Sequence, residues 1–334
     1  WPVEGKITKK DAYWGSKLAC LEMIKTGTTC FADMYFHPEE TAKAAEETGI
    51  RAFLGIVFLG NEKIGAGKVK NQIKELGGFG GLVKPMLAPH SLYTVSEENL
   101  RTVAYIAENE SLLVHFHLSE SEKEVRDCVK EHGKRPVEFL QKIGFLNERV
   151  LNAHSVWLDA KEIKILAKSG AKAVHCPSSN LKLAVGGVFP YTELKNAGVD
   201  IALGTDGCAS NNSLSMLSEM KFASLLQKHD CADTTVMPEK EAFSIATDGG
   251  AKALGLNAGA IKEGMLADFI LVNLKNFSLT PGHNLVSDLV YSAGESCIDT
   301  VFCNGEIVMR HGKVKGEEEI IEKAKAQAMD WVSR

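Results

Sequence analysis

Residues 112–120 read Leu-Leu-Val-His-Phe-His-Leu-Ser-Glu. A short apolar run that ends in ionisable residues marks a buried parallel strand whose last residues open onto a loop. His115 and His117 are two apart and therefore share one strand face. Working outward, six more runs of the same texture occur, at 28–36, 52–58, 82–90, 150–157, 171–177 and 200–206. Their starts average about 29 residues apart, close to the ~31 per unit of an eight-fold (β/α) barrel of ~250 residues. Alternation at this pitch favours an α/β barrel or a doubly wound sheet.

Between the runs lie segments of helical period. Residues 11–26 place Trp14, Leu18 and Leu21 on one face, with Gly27 beyond the last turn. Helices are also expected over 38–48, with Pro38 in the first turn, and over 121–142, 159–169, 190–197, 214–228 and 238–254. After 258 the rhythm changes. Residues 259–274 and 300–314 carry short alternating runs, with turns at Asn304-Gly305 and His311-Gly312, and read as hairpin-like β structure. A charged helix over 316–333 follows, its acidic start (Glu317, Glu318, Glu319) reading as a solvated first turn. The expected division is a barrel over 1–258 and a smaller unit over 259–334. Seven runs, preceded by a segment that leads with a helix, predict that a first barrel strand lies upstream of Trp1.

Composition narrows the class. The 334 residues are 45% hydrophobic and 24% charged, which excludes disordered and fibrous chains. No stretch approaches the roughly 18 apolar residues of a membrane span, and the N-terminus lacks a signal-peptide core. Net charge is −5 with no basic tract, so neither nucleic acid nor membrane is expected as a partner. The eight cysteines include no C-x-x-C pair. That argues against a cysteine zinc site and reads as free thiols in the cytoplasm.

The informative residues are polar ones where packing has no need of them. His90, His117, Glu120, His154 and Asp206 all end apolar strands, and in a (β/α) barrel these ends form the active-site face. Any one of them could be a hydrogen-bonded loop residue; five on one face favour a site. His117 can ligate a metal. His115 lies deeper and reads as an interior histidine. Glu120, just past its strand, suits a general acid. Asp206, between Gly204 and Gly207, can bind a metal or accept a proton, or else cap a turn. His175 ends its strand before Pro177 and Asn180 and reads as a residue behind the site. His37, His132, His229, His283 and His311 read as surface or capping residues. There is no G-x-S-x-G and no phosphate-binding G-x-x-x-x-G-K-[ST], and the glycines at 77–81 do not open a nucleotide loop.

The stretches HFHLSE, NAHSVWL, HCPSSNLKLAVGG, LGTDGCASNNSLSMLSEMKFASLLQK and GAKALGLNAGAIKEGMLADFILVN resemble the amidohydrolase superfamily. Within it they resemble the branch of methylthioadenosine and S-adenosylhomocysteine deaminases, including archaeal 5′-deoxyadenosine deaminases. The resemblance implies a (β/α)₈ barrel with a small β-sandwich built from both chain ends. It implies one divalent metal, usually zinc, held by an H-x-H pair on the first strand, a histidine on the fifth and an aspartate on the eighth. Carried over, His117 and Asp206 are metal ligands, Glu120 protonates the purine, and His154 contacts the attacking water. His90 and Glu4 match positions that contact the nucleoside, Glu4 at the ribose hydroxyls, and Glu120 and Asp206 also face the substrate.

The activity so implied is hydrolytic deamination of an adenosine to an inosine-type product and ammonia. Asp206 takes a proton from the water that attacks C6. The partner is a small-molecule nucleoside, and a homo-oligomer is compatible. The H-x-H pair has no counterpart in residues 1–334, so this stretch alone is expected to bind zinc poorly. The segment after 56 carries Lys63, Lys68 and Lys70 but no arginine, which favours a short 5′ substituent over homocysteine. The alternatives are a guanine or cytosine deaminase, a triazine chlorohydrolase, or a metal-deficient binding protein.

Overall fold

The computed structural model describes residues 4–334. Seven strands form one parallel sheet in strictly sequential order: β1 (Cys30–Asp33), β2 (Arg51–Phe58), β3 (Val83–Pro89), β4 (Val114–Leu118), β5 (Val150–His154), β6 (Lys172–His175) and β7 (Ile201–Leu203). The sheet curls, because its two edge strands, β1 and β7, both line one cavity of about 2250 Å³. A second, antiparallel sheet pairs β8 (Phe269–Val272) and β10 (Glu306–Met309) with β9 (Ile298–Cys303) between them. Each of the seven runs read as a parallel strand is one. The seven-stranded sheet is of the (β/α)-barrel class expected.

Side-chain parity explains the layering. In β4, His115 and His117 face the cavity while Val114, Phe116 and Leu118 are buried in the hydrophobic core. β2 is buried along almost its whole length, as a strand covered on both faces must be. Gly55 permits its close pairing: a Cβ there would stand 2.5 Å from Ala88 Cβ and 2.8 Å from Asp33 O.

α1 (Lys9–Lys25) precedes β1, and the crossovers are α2 (Pro38–Thr48), α3 (Ala66–Gly77), α4 (Glu97–Asn109), α5 (Glu122–His132), α6 (Pro136–Lys142), α7 (Ala160–Ser169), α8 (Pro177–Lys182) and α9 (Tyr191–Asn196). After β7 come α10 (Cys208–Asn211), α11 (Met216–Cys231), α12 (Glu239–Ala246), α13 (Asp248–Ala253), α14 (Leu285–Tyr291) and the last helix, α15 (Glu317–Ser333). None is long and apolar enough to cross a membrane among the described residues.

The helices depart from expectation at several points, and α8, α10 and α14 match no expected helix. The single helix expected over 121–142 is α5 and α6, because Gly133 closes the first in the left-handed region (φ 66°) and Pro136 starts the second. The one expected over 238–254 is α12 and α13; Gly249 approaches Ile201 O so closely that a Cβ would stand 2.6 Å from it. α3 and α4 were not expected at all. On α1 the buried stripe is Cys20, Leu21, Met23 and Ile24, with Leu18 41% exposed, because the helix packs against both α2 and α15.

The small sheet is tied to the barrel by charge. Arg51, the first residue of β2, pairs with Asp268 through two 3.1 Å hydrogen bonds, and both side chains are buried. Arg51 also donates to Asn304 Oδ1 in the β9–β10 turn (3.3 Å). Asn304 and Gly305 have φ of 53° and 83°, as a two-residue hairpin turn requires. The second expected turn, at His311-Gly312, joins a short bridge between Arg310 and Lys313.

α15 is fastened to α1 at both ends, by Glu317 to Lys25 (2.9 Å) and by the Asp11 carboxylate. Asp11 Oδ2 accepts from Thr8 N (2.8 Å), closing a capping box, and Oδ1 accepts from Gln327 Nε2 and Arg334 Nη2, each at 2.6 Å. Burial raises the Asp11 carboxyl, but bonds from Thr8, Gln327 and Arg334 outweigh it and bring it to about 2. A carboxyl held below its ordinary 3.8 stabilises the fold above that pH and loses the contribution as pH falls towards 2. Urea unfolding should therefore give a lower stability at pH 3 than at pH 7, with α15 still docked because Asp11 remains ionised in the folded protein. Asp11→Asn should cost about 1–3 kcal/mol at pH 7 and flatten that pH dependence.

Candidate active site

The C-terminal ends of β3, β4, β5 and β7 bring His90, His117, Glu120, His154 and Asp206 to one cavity, with His115 below them. The His90 and His117 rings lie 4.8 Å apart, His115 and His117 5.6 Å, and His117 and His154 5.3 Å in a near-stacked pair. Glu120 Oε2 stands 4.0 Å from His154 Nε2. Glu4 also lines the cavity, and its Oε1 accepts from Tyr35 Oη at 3.0 Å.

The strand ends are bent in a costly way. Ser119, His154, Ser155 and Asp206 have φ of 48°, 70°, 50° and 57°, the left-handed region that non-glycine residues avoid. Each such residue costs on the order of 1–3 kcal/mol and persists only where its surroundings hold it. The surroundings do so. Ser155 N donates to Leu118 O (2.9 Å), and Val156 N and Trp157 N both donate to Ser119 O (3.1 and 2.9 Å). Glu124, on the first turn of α5, accepts from Ser119 N and Glu120 N, each at 2.8 Å.

The imidazoles are oriented by their second nitrogens. His117 Nδ1 faces His90 O at 2.9 Å; a carbonyl can only accept, so Nδ1 carries the proton and Nε2 a lone pair. His154 Nδ1 lies 2.9 Å from Asn180 Oδ1, which fixes the same tautomer. His90 Nδ1 is 3.0 Å from both Ser91 Oγ and Thr94 Oγ1. Burial holds His90, His115 and His117 below the ordinary histidine range, His115 at about 4. These rings are neutral at pH 7 and offer lone pairs.

Asp206 is the opposite case. Burial raises its carboxyl, but His154 and hydrogen bonds outweigh burial and hold it below the usual range. Ser179 and Ser210 hydroxyls each donate to Oδ2 at 2.6 Å, and Gly207 N donates to Oδ1 at 2.7 Å. The capping reading of Asp206 is not realised: Gly207 is the N-cap of α10, and the carboxylate spends its bonds on Gly207 N and two serine hydroxyls at the cavity instead. Glu219 on α11, 1% exposed, braces the surroundings: it accepts from Ser178 N (3.2 Å) and Asn211 Nδ2 (2.8 Å).

His115 is not the satisfied interior histidine expected, since its buried Nδ1 has no hydrogen-bond partner. His175 belongs to the helix-facing side of β6, stacked on Phe189 at 4.5 Å, while its neighbours Val174 and Cys176 face the cavity. It therefore does not support the site directly. Among the outlying histidines, His132 stacks on Phe139 at 4.0 Å and His311 meets Asp299 at 3.2 Å. Sequence reasoning passed over Asp33, a cavity-lining carboxyl that burial pushes up to about 6. It ends an apolar strand just as Asp206 does, and the same rule would have found it. It also passed over Glu124, although Ser121-x-x-Glu124 is a visible helix-start pattern.

As a metal site the donor chemistry fits in part. His117 Nε2 and the Asp206 carboxylate are a nitrogen and an oxygen of the kind zinc and similar ions take, but a catalytic zinc needs three protein ligands. Among the described residues no three candidate side chains converge on one point.

Residues 2–308 match the amidohydrolase family. The chain belongs to that family. It is 49% identical over 330 residues to a 5-methylthioadenosine/S-adenosylhomocysteine deaminase of Archaeoglobus fulgidus, covering 97% of this chain and 78% of the relative. It is 43% identical to a 5′-deoxyadenosine deaminase of Methanospirillum hungatei, covering 100% of this chain and 76% of that one. The fold superposes on a zinc-bound adenosine deaminase of Xanthomonas campestris with a TM-score of 0.94 and 32% identity, covering 100% of this chain and 78% of the other. A zinc-bound atrazine chlorohydrolase of Arthrobacter aurescens shares the fold (TM-score 0.88, 23% identity, 98% and 79% covered).

The Asn180 contact can be tested without substrate. Nitrogen-15 NMR of the His154 ring should report the Nδ1–H tautomer. Asn180→Leu should lose that signature and cost about 1–3 kcal/mol on thermal unfolding, for a buried N–H left unpaired.

Proposed function

We propose that this amidohydrolase is a hydrolytic deaminase of adenosine-type nucleosides that works with one bound divalent metal. The observation that carries the reading is the convergence of Glu120, His154 and Asp206 at one cavity, with Glu120 and His154 4.0 Å apart. Relatives with 43–49% identity over nearly the whole chain bear deaminase names, which supports it.

His117 and Asp206 would hold the metal, zinc by analogy with the zinc-bound neighbour. When bound, it supplies a Lewis acid and lowers the pKa of water towards about 7. The side chains supply the rest. His154 Nε2, aimed by Asn180, accepts a hydrogen bond from the attacking water and holds it over C6. Asp206 takes the proton that this water loses as its oxygen bonds to C6. Glu120 gives its proton to N1 of the purine, so the displaced electron pair settles on a neutral nitrogen. The amino group receives the proton held by Asp206, the C6–N bond breaks as the C6–OH proton returns to Glu120, and ammonia leaves with an inosine-type product. His90 contacts the nucleoside, and Glu4 accepts from the ribose hydroxyls.

The 5′ substituent in this reading is short and uncharged, as in methylthioadenosine or 5′-deoxyadenosine. Lys63 and Lys70 reach Glu98 and Glu110 on the α4 side, at 3.2 Å each, while the cavity meets Leu59, Gly60 and Asn61 of the same segment. The division near 258 stays part of the proposal, with the smaller unit bracing the barrel through Arg51 and Asp268.

Ammonia release by the natural full-length protein should favour these two nucleosides over S-adenosylhomocysteine, guanine and triazines; a preference for guanine or a triazine sinks the proposal. Glu120→Gln should lower kcat by roughly 10²-fold or more, with little change in thermal unfolding. Dialysis against a chelator should abolish turnover, and added zinc should restore it.

A further inference from the structure

We infer that Glu124 is a positioning residue for Glu120: its carboxylate clamps the strained turn that aims the proposed acid. The inference rests on the functional reading above for what Glu120 does, and on geometry for what Glu124 does. Ser121-x-x-Glu124 is the pattern of a capping box, in which the glutamate reaches back to the N–H of the capping serine. Half of the box is present, since Glu124 N donates to Ser121 Oγ at 3.2 Å. The other half is diverted. Glu124 Oε1 accepts from Ser119 N and Oε2 from Glu120 N, both at 2.8 Å, one and two residues before the cap.

The diversion has a reason. Ser119 sits at φ 48°, and its carbonyl is already taken by Val156 N and Trp157 N, which couple this turn to the end of β5 and to His154. Two adjacent N–H groups in a buried turn need two acceptors, and a carboxylate offers an oxygen to each. Glu124 is 6% exposed, so water does not replace it. An amide at this position has one oxygen and would turn its NH₂ against the second N–H. Losing the clamp frees the turn, and displacement of a reacting group by about 1 Å can cost ~10²-fold in rate.

Glu162 provides the control. It is fully buried and accepts from Val137 N (3.1 Å) and Asp159 N (3.2 Å) beside Arg135, at a helix start that carries no site residue. Glu124→Gln and Glu162→Gln would be compared in the natural full-length, metal-loaded protein by thermal unfolding, steady-state kinetics and amide hydrogen exchange. The clamp predicts that Glu124→Gln lowers kcat at least ~10-fold with KM changed less than ~3-fold, as loss of a purely transition-state interaction does. Exchange at Ser119 and Glu120 should rise with it. Glu162→Gln should lower the unfolding temperature comparably and keep kcat. If Glu124→Gln keeps kcat and KM while losing only stability, the residue is structural and the inference is wrong. Should that variant not fold, Glu124→Asp, shorter by one methylene, is judged by the same kcat criterion. If the wild-type protein deaminates no adenosine, the functional reading fails, and exchange at Ser119 and Glu120 alone decides the clamp.

Discussion

Parallel pairing in strict sequence is the constraint on which the rest depends. Because β1 to β7 pair in sequential order, every strand must be followed by a return across the sheet, and all seven C-terminal ends emerge on one side. Those ends cannot continue as ladder and cannot yet be helix. Their backbone groups need partners, and their side chains are free of core packing. Chemistry collects there because the sheet leaves no other place with both a rigid base and unspent polar groups. The left-handed φ angles at Ser119, His154, Ser155 and Asp206 are the local cost of turning a buried strand abruptly into a loop.

Buried carboxylates meet much of that cost. Glu124, Glu162, Glu219 and Asp268 are all buried or nearly so, and each accepts at least one backbone N–H or is paired with a buried cation. A buried charge is expensive unless fully hydrogen-bonded, so such groups survive where two or more donors need acceptors close together. Burial pushes Glu124 up to about 7 even as the Glu120 and Ser119 amides pull it down, so burial is the larger of the two effects. The same chemistry operates at two scales. Asp268 joins the small sheet to the barrel through Arg51, and Glu124 joins a helix to one turn.

The sheet was legible because a doubly covered strand is a continuous apolar run and the barrel pitch is regular. The five rim residues were legible because packing gives a strand no reason to end in histidine or carboxylate. Helix boundaries were harder. The break at Gly133 and Pro136 is written in the sequence, but the apolar period continues across it. α3 went unread for a different reason, since only Val69 and Leu76 of it are buried, whereas α4 carries Leu100, Val103, Ile106 and Ala107 at a helical spacing that could have been read. Glu124 and Glu219 were illegible as braces because their partners are backbone N–H groups, which have no residue type. His175 misled because its position at a strand end is right, and only the parity of β6 sends the ring to the wrong face.

The electrostatics of the cavity follow from the same geometry. Burial, helped by repulsion from neighbouring imidazoles, keeps His90, His115 and His117 neutral, whereas Asp206 stays anionic through His154, two hydroxyls and one amide. An interior of neutral imidazoles beside one held carboxylate receives a neutral heterocycle without a desolvated charge to oppose it. It also leaves proton traffic to groups whose positions the backbone fixes.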